Sequence, residues 1–395
     1  MPWLLEVTLI VASLLFIIDI YLGWRLVSSA RSLTYRFATF LTVAVILFLA
    51  GFFTFPLSGL VAWLTRGAFD FYGFPIPFVY FFWYGLAFSV QLVLWVVLLD
   101  FIKFIVKILL KFDSPLVDLA HAVFVAGIAS VLVFTTAIKL YEDTNAVDVN
   151  RVEYRSASIP SDLNGFRIAH ISDIQVDKFT GKKQVERYID SVNAQQADLV
   201  VFTGDLVTHG TEYIDRGARW LGRARARYGT VAVIGDHDYW ASKQKVAAAL
   251  QKQGIKVLEG TNLWLDTSGK PTVVSGVTNV YSEKVSPETV NEVTSSVDSA
   301  AVRILATHQV SDLLVGAARE HEYDLILAGH THGGQLRFDI LGFQICASML
   351  ETPYISGSYP KGNLLINVNN GLGFTLAPVR YNARADVSII TLRQP

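Results

Sequence analysis

The chain has 395 residues, enough for roughly two or three structural units, and its formal net charge of -1 excludes the strong positive field typical of nucleic-acid binding. Hydrophobic residues make up 52% of the chain and charged residues 17%, a composition too apolar for an ordinary soluble protein. The single cysteine, Cys346, excludes a disulfide within the chain.

Almost all of the apolar excess lies in four runs before residue 141, at residues 4–21, 37–64, 78–99 and 116–140. Each run can form a helix of about 20 residues, the length that crosses a hydrocarbon core. The first run could instead be a cleaved signal peptide, but no basic residue precedes it and it is long for that role. We therefore predict an all-α transmembrane bundle of about four helices over residues 1–140.

Basic residues predict the orientation of this bundle. They follow the first and third runs, at Arg25, Arg31, Arg36, Lys103, Lys107 and Lys111. Because short basic loops stay in the cytoplasm, we expect the N-terminus and everything after the fourth run to lie outside. In a bacterium, this arrangement is a multi-pass protein of the inner membrane with an extracytoplasmic C-terminal domain.

Ionisable residues near the third and fourth runs leave two interpretations open. Lys103, Lys107 and Lys111 form one helical stripe, which either reaches lipid head groups or simply flanks the span. Asp118 and His121 are either functional, as ionisable groups in a membrane often are, or reach water near the end of a span.

The composition changes at Tyr141, and we predict a linker and a first strand over residues 141–165. Predicted strands and helices alternate over residues 166–395, a pattern typical of a layered α/β fold. Shorter β-hairpins near the end indicate a second sheet. We therefore expect a four-layer domain, a β-sandwich flanked by helices.

Polar motifs follow the C-terminal ends of five predicted strands, where ligands bind in open α/β sheets. They are Ser172-Asp173-Ile174-Gln175, Thr203-Gly204-Asp205, Gly235-Asp236-His237-Asp238, Thr307-His308 and Gly329-His330-Thr331-His332. One aspartate after a strand is common as a helix cap, but five such motifs are not explained by capping. Two imidazoles on a glycine-flanked turn can also face two neighbouring metal ions.

This ordered set resembles the calcineurin-like metallophosphoesterase superfamily, whose signature is Asp-x-His, Gly-Asp, Gly-Asn-His-Asp/Glu, a lone His and Gly-His-x-His. The resemblance covers residues 147–392 and is strongest to a bacterial membrane-anchored branch that ends in Gly-His-Thr-His-Gly-Gly-Gln. It implies a metallophosphoesterase domain that hydrolyses phosphate esters with a metal-bridged hydroxide.

The resemblance also implies a role for each site residue. The first metal ion would be held by Asp173, Gln175, Asp205 and His332. The second would be held by Asp205, Asp236, His308 and His330, with Asp205 bridging the two ions. His237 would act at the leaving-group oxygen, and Asp238 would orient His237.

Mixed carboxylate, amide and imidazole ligands suit two divalent ions of Mn, Fe or Zn better than Mg, and we favour Mn. Two positions depart from the family pattern. Gln175 stands where histidine is usual, and its amide oxygen is a weaker ligand. Asp236 stands where asparagine is usual, and its extra negative charge should tighten metal binding but repel an anionic substrate.

Two further features lie close to these motifs. His170 is inside a predicted strand, so we expect it to be buried or to contact a metal ligand. The apolar segment 338–362 directly follows the last motif, and a long loop is often a functional lid. It either contacts the bilayer or an acyl chain, or it forms ordinary β-hairpins packed on the domain.

The sequence therefore predicts a membrane-bound dinuclear-metal phosphoesterase. Its expected partners are membrane lipids and a phosphorylated lipid or lipid-linked substrate that carries a phosphate ester or pyrophosphate. One alternative is a phosphodiesterase that acts on a soluble substrate. The other is a catalytically degenerate membrane sensor or scaffold that binds metal or ligand. The oligomeric state is left open.

Overall fold

The computed structural model describes residues 3–33, 35–67, 74–267, 270–340 and 342–395. These residues form two compact units. The first contains the helices that precede Asp143 together with Leu376–Tyr381, and the second contains Asp143–Thr375 with Asn382–Pro395.

The first unit is built from four long helices, α1 Trp3–Leu33, α2 Tyr35–Arg66, α3 Ile76–Phe104 and α4 Pro115–Asn145, and the last three residues of α4 belong to the second unit. Within the described residues, three segments are long and apolar enough to cross a membrane, namely Leu5–Ser32, Ala38–Thr65 and Pro115–Asn145. The structure thus supports three of the four predicted spans by length and composition.

The remaining predicted span, residues 78–99, lies within α3. This helix packs against its neighbours: Leu92 and Val96 are buried in one cluster with Leu22 of α1 and Val125 of α4. Gly85 of α3 lies so close to Phe52 of α2 that any side chain at position 85 would displace the aromatic ring. The apolar character of α3 therefore serves packing between helices along at least one face.

Asp100, at the C-terminal end of α3, joins α3 to two other helices. Its carboxylate accepts hydrogen bonds from Tyr21 and pairs with Arg25 of α1, and it lies 2.8 Å from Nε2 of His121 in α4. His121 therefore has a protein partner rather than reaching water.

The predicted lysine stripe also has protein partners. Lys103 and Lys107 each lie 2.7 Å from the carboxylate of Asp118 in α4. Lys107 belongs to a π-helical turn, Ile105–Leu109, that follows α3. Two of the three lysines therefore form ion pairs with Asp118, and contact of the stripe with lipid head groups stays a prediction.

Residues 142–145, expected as a linker, form the last turn of α4, and β1 begins at Val147. The first sheet of the second unit has the strand order β1-β14-β2-β3-β4-β5. The strands are β1 Val147–Arg155, β2 Arg167–Ile171, β3 Leu199–Phe202, β4 Thr230–Ala232, β5 Lys256–Val257 and β14 Ala385–Arg393. Strands β2 to β5 are parallel, and β14 runs antiparallel to β2.

The second sheet has the order β12-β13-β9-β8-β7-β6, in which β7, β8, β9 and β13 are parallel. The strands are β6 Thr261–Thr267, β7 Lys270–Gly276, β8 Val302–Ala306, β9 Leu325–Ala328, β12 Gly357–Lys361 and β13 Leu364–Val368. A separate hairpin joins β10 Phe338–Ile340 to β11 Phe343–Ile345.

The two sheets face each other across one apolar core. Ile168 and Val201 from the first sheet pack there with Ile304 and Leu327 from the second. Helices α5 Lys182–Asn193, α6 Ile214–Leu221 and α7 Asp236–Lys252 cover the outer face of the first sheet, and α8 Pro287–Ser295 and α9 Asp312–Glu320 cover that of the second. This arrangement confirms the predicted helix-flanked β-sandwich.

His170 of β2 is fully buried, as expected, and links the sheets. Its Nδ1 lies 2.7 Å from Oδ1 of Asn367 in β13, and its Nε2 lies 3.0 Å from Oγ1 of Thr203. Burial lowers the pKa of His170 to about 4, so the imidazole is neutral near pH 7.

Candidate metal centre

The loops after β2, β3, β4, β8 and β9 converge on one buried site. Two overlapping groups of side chains there could hold a metal ion, because the ligand atoms within each group lie within 4.8 Å of one another. The first group is Asp173, Asp205 and His308, and the second is Asp236, His308 and His330. Five separate segments of the domain therefore supply one cluster of carboxylates and imidazoles.

The second group is well defined by its distances. Nε2 of His308 lies 3.3 Å from Oδ2 of Asp236 and 3.4 Å from Oδ2 of Asp205. Nδ1 of His330 lies 3.0 Å from the same Asp236 oxygen. The other ring nitrogen of His308 lies 2.7 Å from the carbonyl oxygen of Thr203, which fixes the ring with Nε2 towards the carboxylates.

The predicted ligands of the first ion also lie together. Nε2 of His332 lies 3.2 Å from Oδ1 of Asp173, and the side-chain amide of Gln175 donates a hydrogen bond of 2.8 Å to Oδ2 of Asp205. Within the described part of the chain, Oε1 of Gln175 and Nε2 of His308 are buried atoms without a hydrogen-bond partner. Buried polar atoms are normally satisfied, so an unbonded amide oxygen and an imidazole nitrogen that meets carboxylates only at 3.3–3.4 Å fit a divalent cation between them.

Backbone strain marks the same residues. Asp173, Gln175, Asp205, His330 and His332 have φ angles of 50°, 51°, 62°, 76° and 50°. Residues other than glycine rarely adopt this left-handed region, which costs about 1–3 kcal/mol each, and such strain concentrates at functional sites. Five of the seven predicted ligands are thus held in a conformation that their own preferences oppose.

Two glycines of the motifs allow the loops to approach closely. A Cβ atom at Gly235 would overlap the backbone nitrogen and the carboxylate of Asp205. A Cβ atom at Gly329 would overlap Oγ of Ser172 and the carboxylate of Asp173. Only glycine therefore fits at these positions without moving a predicted metal ligand.

His237 lies next to the predicted bridging ligand. Its backbone N–H donates a hydrogen bond of 2.8 Å to Oδ1 of Asp205, and its ring Nδ1 bonds to the carbonyl oxygen of Thr208. Nε2 lies 3.4 Å from Oγ1 of Thr375, and the ring packs edge-on against Trp240 at 5.0 Å between centroids. The ring therefore has a fixed orientation.

Asp238 has a different contact set from the one the family resemblance implies. Its Oδ2 accepts hydrogen bonds from the backbone N–H groups of Asp205 and Gly235, and its Oδ1 accepts one from Leu206. We therefore correct the expectation that Asp238 orients His237: Asp238 fixes the loop that carries Asp205, and the Thr208 carbonyl holds the His237 ring.

The electrostatics of the site favour bound positive charge. Burial opposes ionisation of Asp173 and Asp236, but the neighbouring imidazoles outweigh burial and lower the pKa of both carboxyls. Burial likewise opposes protonation of His308, yet Asp205 and Asp236 raise its pKa. Burial and the Asp205 carboxylate raise the pKa of Asp238 to about 7.

Three residues around Asp236 and His330 were not found from the sequence. Nε2 of Gln309 donates a hydrogen bond of 2.7 Å to Oδ2 of Asp236, and the backbone N–H of Tyr281 donates one of 2.6 Å to Oδ1. Oε1 of Glu351 lies 2.7 Å from Nε2 of His330. Burial and the nearby Asp236 raise the pKa of Glu351 to about 6. Gln309 directly follows His308, a signal that could have identified it.

The apolar segment after the last motif forms the expected hairpins but exposes some of its apolar side chains, and its contact with the bilayer or an acyl chain stays a prediction. It forms the β10–β11 hairpin, a short 3-10 helix over Ala347–Leu350, and β12, so it contains the expected hairpins. Yet Phe343 is 73% exposed and Leu350 is 96% exposed, so these apolar side chains are not packed on the domain. Leu341 lies outside the described residues.

Residues 166–334 match the family model described as calcineurin-like phosphoesterase. The chain contains a calcineurin-like phosphoesterase domain. This finding confirms the predicted superfamily and a metal-dependent phosphoesterase domain. Which ion each ligand holds, and the identity of the metal, stay predictions.

Several curated proteins are similar to this chain. A zebrafish transmembrane protein with metallophosphoesterase domain is 26% identical over 279 residues, which cover 67% of this chain and 62% of the zebrafish protein. An uncharacterized metallophosphoesterase of Campylobacter jejuni is 25% identical over 299 residues, which cover 74% of this chain and 76% of the relative. An uncharacterized metallophosphoesterase of Bacillus subtilis is 25% identical over 257 residues, which cover 64% of this chain and 88% of the relative.

Among solved structures, the chain is similar to the protein TT1561 of Thermus thermophilus. The alignment covers 53% of this chain and 90% of TT1561. Its TM-score is 0.38 and its sequence identity 15%.

Proposed function

We propose that this protein is a membrane-bound dinuclear-metal phosphoesterase that hydrolyses a phosphate ester or pyrophosphate of a lipid or lipid-linked head group. One observation carries the catalytic part of this proposal. Three buried carboxylates and three imidazoles from five strand ends meet in the phosphoesterase domain. That ligand set is characteristic of a two-metal site.

The ligand assignment is the one that the family resemblance implies, and contacts between these side chains support it. Asp173, Gln175, Asp205 and His332 would hold the first ion, and Asp205, Asp236, His308 and His330 the second. Manganese, iron or zinc suits these ligands, and we favour manganese. When bound, such ions withdraw charge from phosphate oxygens and make bound water more acidic.

His237 is positioned to protonate the leaving-group oxygen. Because Nδ1–H is engaged by the carbonyl of Thr208, it is the Nε2–H of the doubly protonated imidazolium that would pass to the leaving-group oxygen, which leaves the ring neutral. Trp240 packs against the ring, and Asp205 holds the backbone of His237. Asp238 contributes indirectly, since it fixes the backbone of the loop that carries Asp205.

The extra negative charge of Asp236 is partly offset by its surroundings. Gln309 donates to Asp236, and the ammonium group of Lys284 donates in turn to Oε1 of Gln309. A chain of hydrogen bonds thus connects a cation to the carboxylate that replaces the usual asparagine. We infer that the substitution is compatible with an anionic substrate.

Two features support a lipid or lipid-linked substrate. Among the described residues, three helices are long and apolar enough to span a membrane. In the phosphoesterase domain, exposed Leu350 directly precedes Glu351, which contacts His330 of the site. Apolar side chains next to a phosphoesterase site are suited to contact acyl chains. From the basic loops, we propose a multi-pass protein of the inner membrane with an extracytoplasmic phosphoesterase domain.

Hydrolysis by the full chain in detergent with Mn²⁺ tests the proposal. We expect cleavage of bis(p-nitrophenyl) phosphate by the purified protein, with loss of activity in Asp205→Asn and after chelation. A phosphorylated lipid in mixed micelles should then be hydrolysed faster than glycerol 1-phosphate at equal concentration. A preference for glycerol 1-phosphate would instead favour a soluble substrate.

A degenerate sensor or scaffold is the second candidate, and the departures at Gln175 and Asp236 favour it. This candidate predicts that the protein binds metal but cleaves neither ester. Metal analysis of the same preparation separates the two functions.

A further inference from the structure

Glu351 contacts the metal site from outside the family motifs. Its Oε1 lies 2.7 Å from Nε2 of His330. The other ring nitrogen, Nδ1, lies 3.0 Å from Oδ2 of Asp236, within the group that could hold an ion. One nitrogen of the imidazole therefore faces Glu351 alone, and the other faces Asp236 and the candidate metal position.

The segment that carries Glu351 is attached to the turn that carries His330. Oγ of Ser348 donates a hydrogen bond of 3.2 Å to the carbonyl oxygen of Thr331, and Oγ1 of Thr331 donates one of 2.6 Å to the carbonyl oxygen of Ile355. Cys346 is buried against Gly334. A methyl group added at Gly334 would be too close to the sulfur of Cys346. Contacts on both sides of Glu351 thus fix its distance from His330.

With an ion bound beside Asp236, this geometry would select one tautomer of the ring. A carboxylate that accepts the Nε2–H leaves the lone pair on Nδ1, the nitrogen that faces Asp236. A metal-binding histidine is commonly oriented in this way, and loss of the carboxylate typically costs about 10–100-fold in metal affinity. His308 is held similarly, but by the carbonyl oxygen of Thr203 rather than by a charged group.

We propose that Glu351 is a positioning residue for the second metal ion: it holds His330 with Nδ1 towards Asp236 and increases the basicity of that nitrogen. The proposal rests on the metal site of the proposed function. Under this proposal, the apolar segment after the last motif supplies one residue that helps to hold the metal site. Glu351 acts through His330 and does not itself touch substrate.

Metal affinity of the full chain in detergent is the direct test. Equilibrium dialysis with Mn²⁺ should show two sites in the wild-type protein. In Glu351→Ala, we expect one of the two sites to weaken by about 10–100-fold while the other keeps its affinity. Glu351→Gln should weaken the same site less, because an amide oxygen still accepts the Nε2–H bond. Glu320→Ala, which removes an exposed carboxylate at the end of α9, should match the wild type.

Co²⁺ substitution gives a second readout, since its visible spectrum reports the ligands of each ion. Glu351→Ala should change the absorption of one site only. Unchanged affinity at both sites in Glu351→Ala and Glu351→Gln would overturn the proposal, as would equal weakening of both sites. Wild-type protein that binds two ions without cleaving an ester would refute the proposed function and leave the role of Glu351 intact.

Discussion

The backbone N–H of His237 donates a hydrogen bond to Oδ1 of Asp205, 2.8 Å away. The residue proposed to protonate the leaving group is thereby fixed to the residue proposed to bridge the two ions. Because the bond uses the backbone of His237, a change of its side chain leaves the bond in place. The acid role and the metal site can therefore be separated by mutation.

Substitution His237→Asn should lower kcat by about 10²–10⁴-fold on an ester with a poor leaving group. The loss of kcat should be smaller for an ester of p-nitrophenol, because p-nitrophenolate leaves without taking up a proton. Bound manganese, measured by elemental analysis, should stay at the wild-type level. Equal losses on both esters, or parallel loss of metal, would contradict the acid role.

Substitution Gly235→Ala should destabilise the phosphoesterase domain and reduce its metal content. The new methyl group would overlap the backbone of Asp205, and such overpacking typically costs about 1–3 kcal/mol. Thermal unfolding and metal analysis measure the two effects. Gly316→Ala is the matched control: Gly316 lies in α9 with open space around its Cβ position, so alanine should stabilise the helix by about 0.5–1 kcal/mol. A Gly235→Ala protein with wild-type stability and metal content would refute the close-packed arrangement.

Substitution Gln175→His should tighten binding of the first ion. Oε1 of Gln175 is buried without a hydrogen-bond partner among the described residues, and imidazole is a stronger ligand than an amide for Mn²⁺, Fe²⁺ or Zn²⁺. Dialysis should show a higher affinity at one site and no change at the other. If neither affinity changes, Gln175 is not a ligand.

The folded domain should become less stable as the pH decreases, because His170 is buried in its neutral form. Its pKa is about 4 in the folded domain against 6.5 for the free side chain, so the unfolded chain takes up a proton first as pH decreases. Unfolding therefore becomes easier between about pH 6.5 and 4, by an amount of about 3 kcal/mol at the acid end. In His170→Gln, this part of the pH dependence should disappear from thermal unfolding curves. Parallel curves for the two proteins would exclude a neutral His170 as the cause.

The proposed orientation can be tested with single cysteines in a Cys346→Ser background. A cysteine at exposed Glu320 should react with a membrane-impermeant maleimide in intact cells, whereas one at exposed Lys111 should react only after permeabilisation. The reverse pattern would place the phosphoesterase domain in the cytoplasm.

Strand-end motifs made much of this site predictable. Asp173, Asp205, His308 and His330 each follow a short apolar strand, and parallel strands place such ends at one edge of a sheet. Glu351 could not be found in this way, because it reaches His330 across 21 residues of chain that contain a hairpin. Its contact depends on tertiary packing, which local patterns do not record.

The structure differs from the sequence-based expectations at two places. Residues 142–145 are polar and read as a linker, but they continue α4, since nothing in their sequence breaks a helix. The role of Asp238 was transferred from the family, whereas its hydrogen bonds go to the backbone of neighbouring loops. In both places the same residues are compatible with two local structures, and tertiary packing decides between them.

The position of β14 has a consequence for biogenesis. In the first sheet, β14 lies between β1 and β2, and β1 pairs with it from Val147 to Arg155. A ribosome must therefore have passed Arg393 before β1 can dock, and pairings between such distant segments form slowly. Throughout that interval the nascent domain stays incompletely folded, a state in which a polypeptide can still be threaded through a translocation channel.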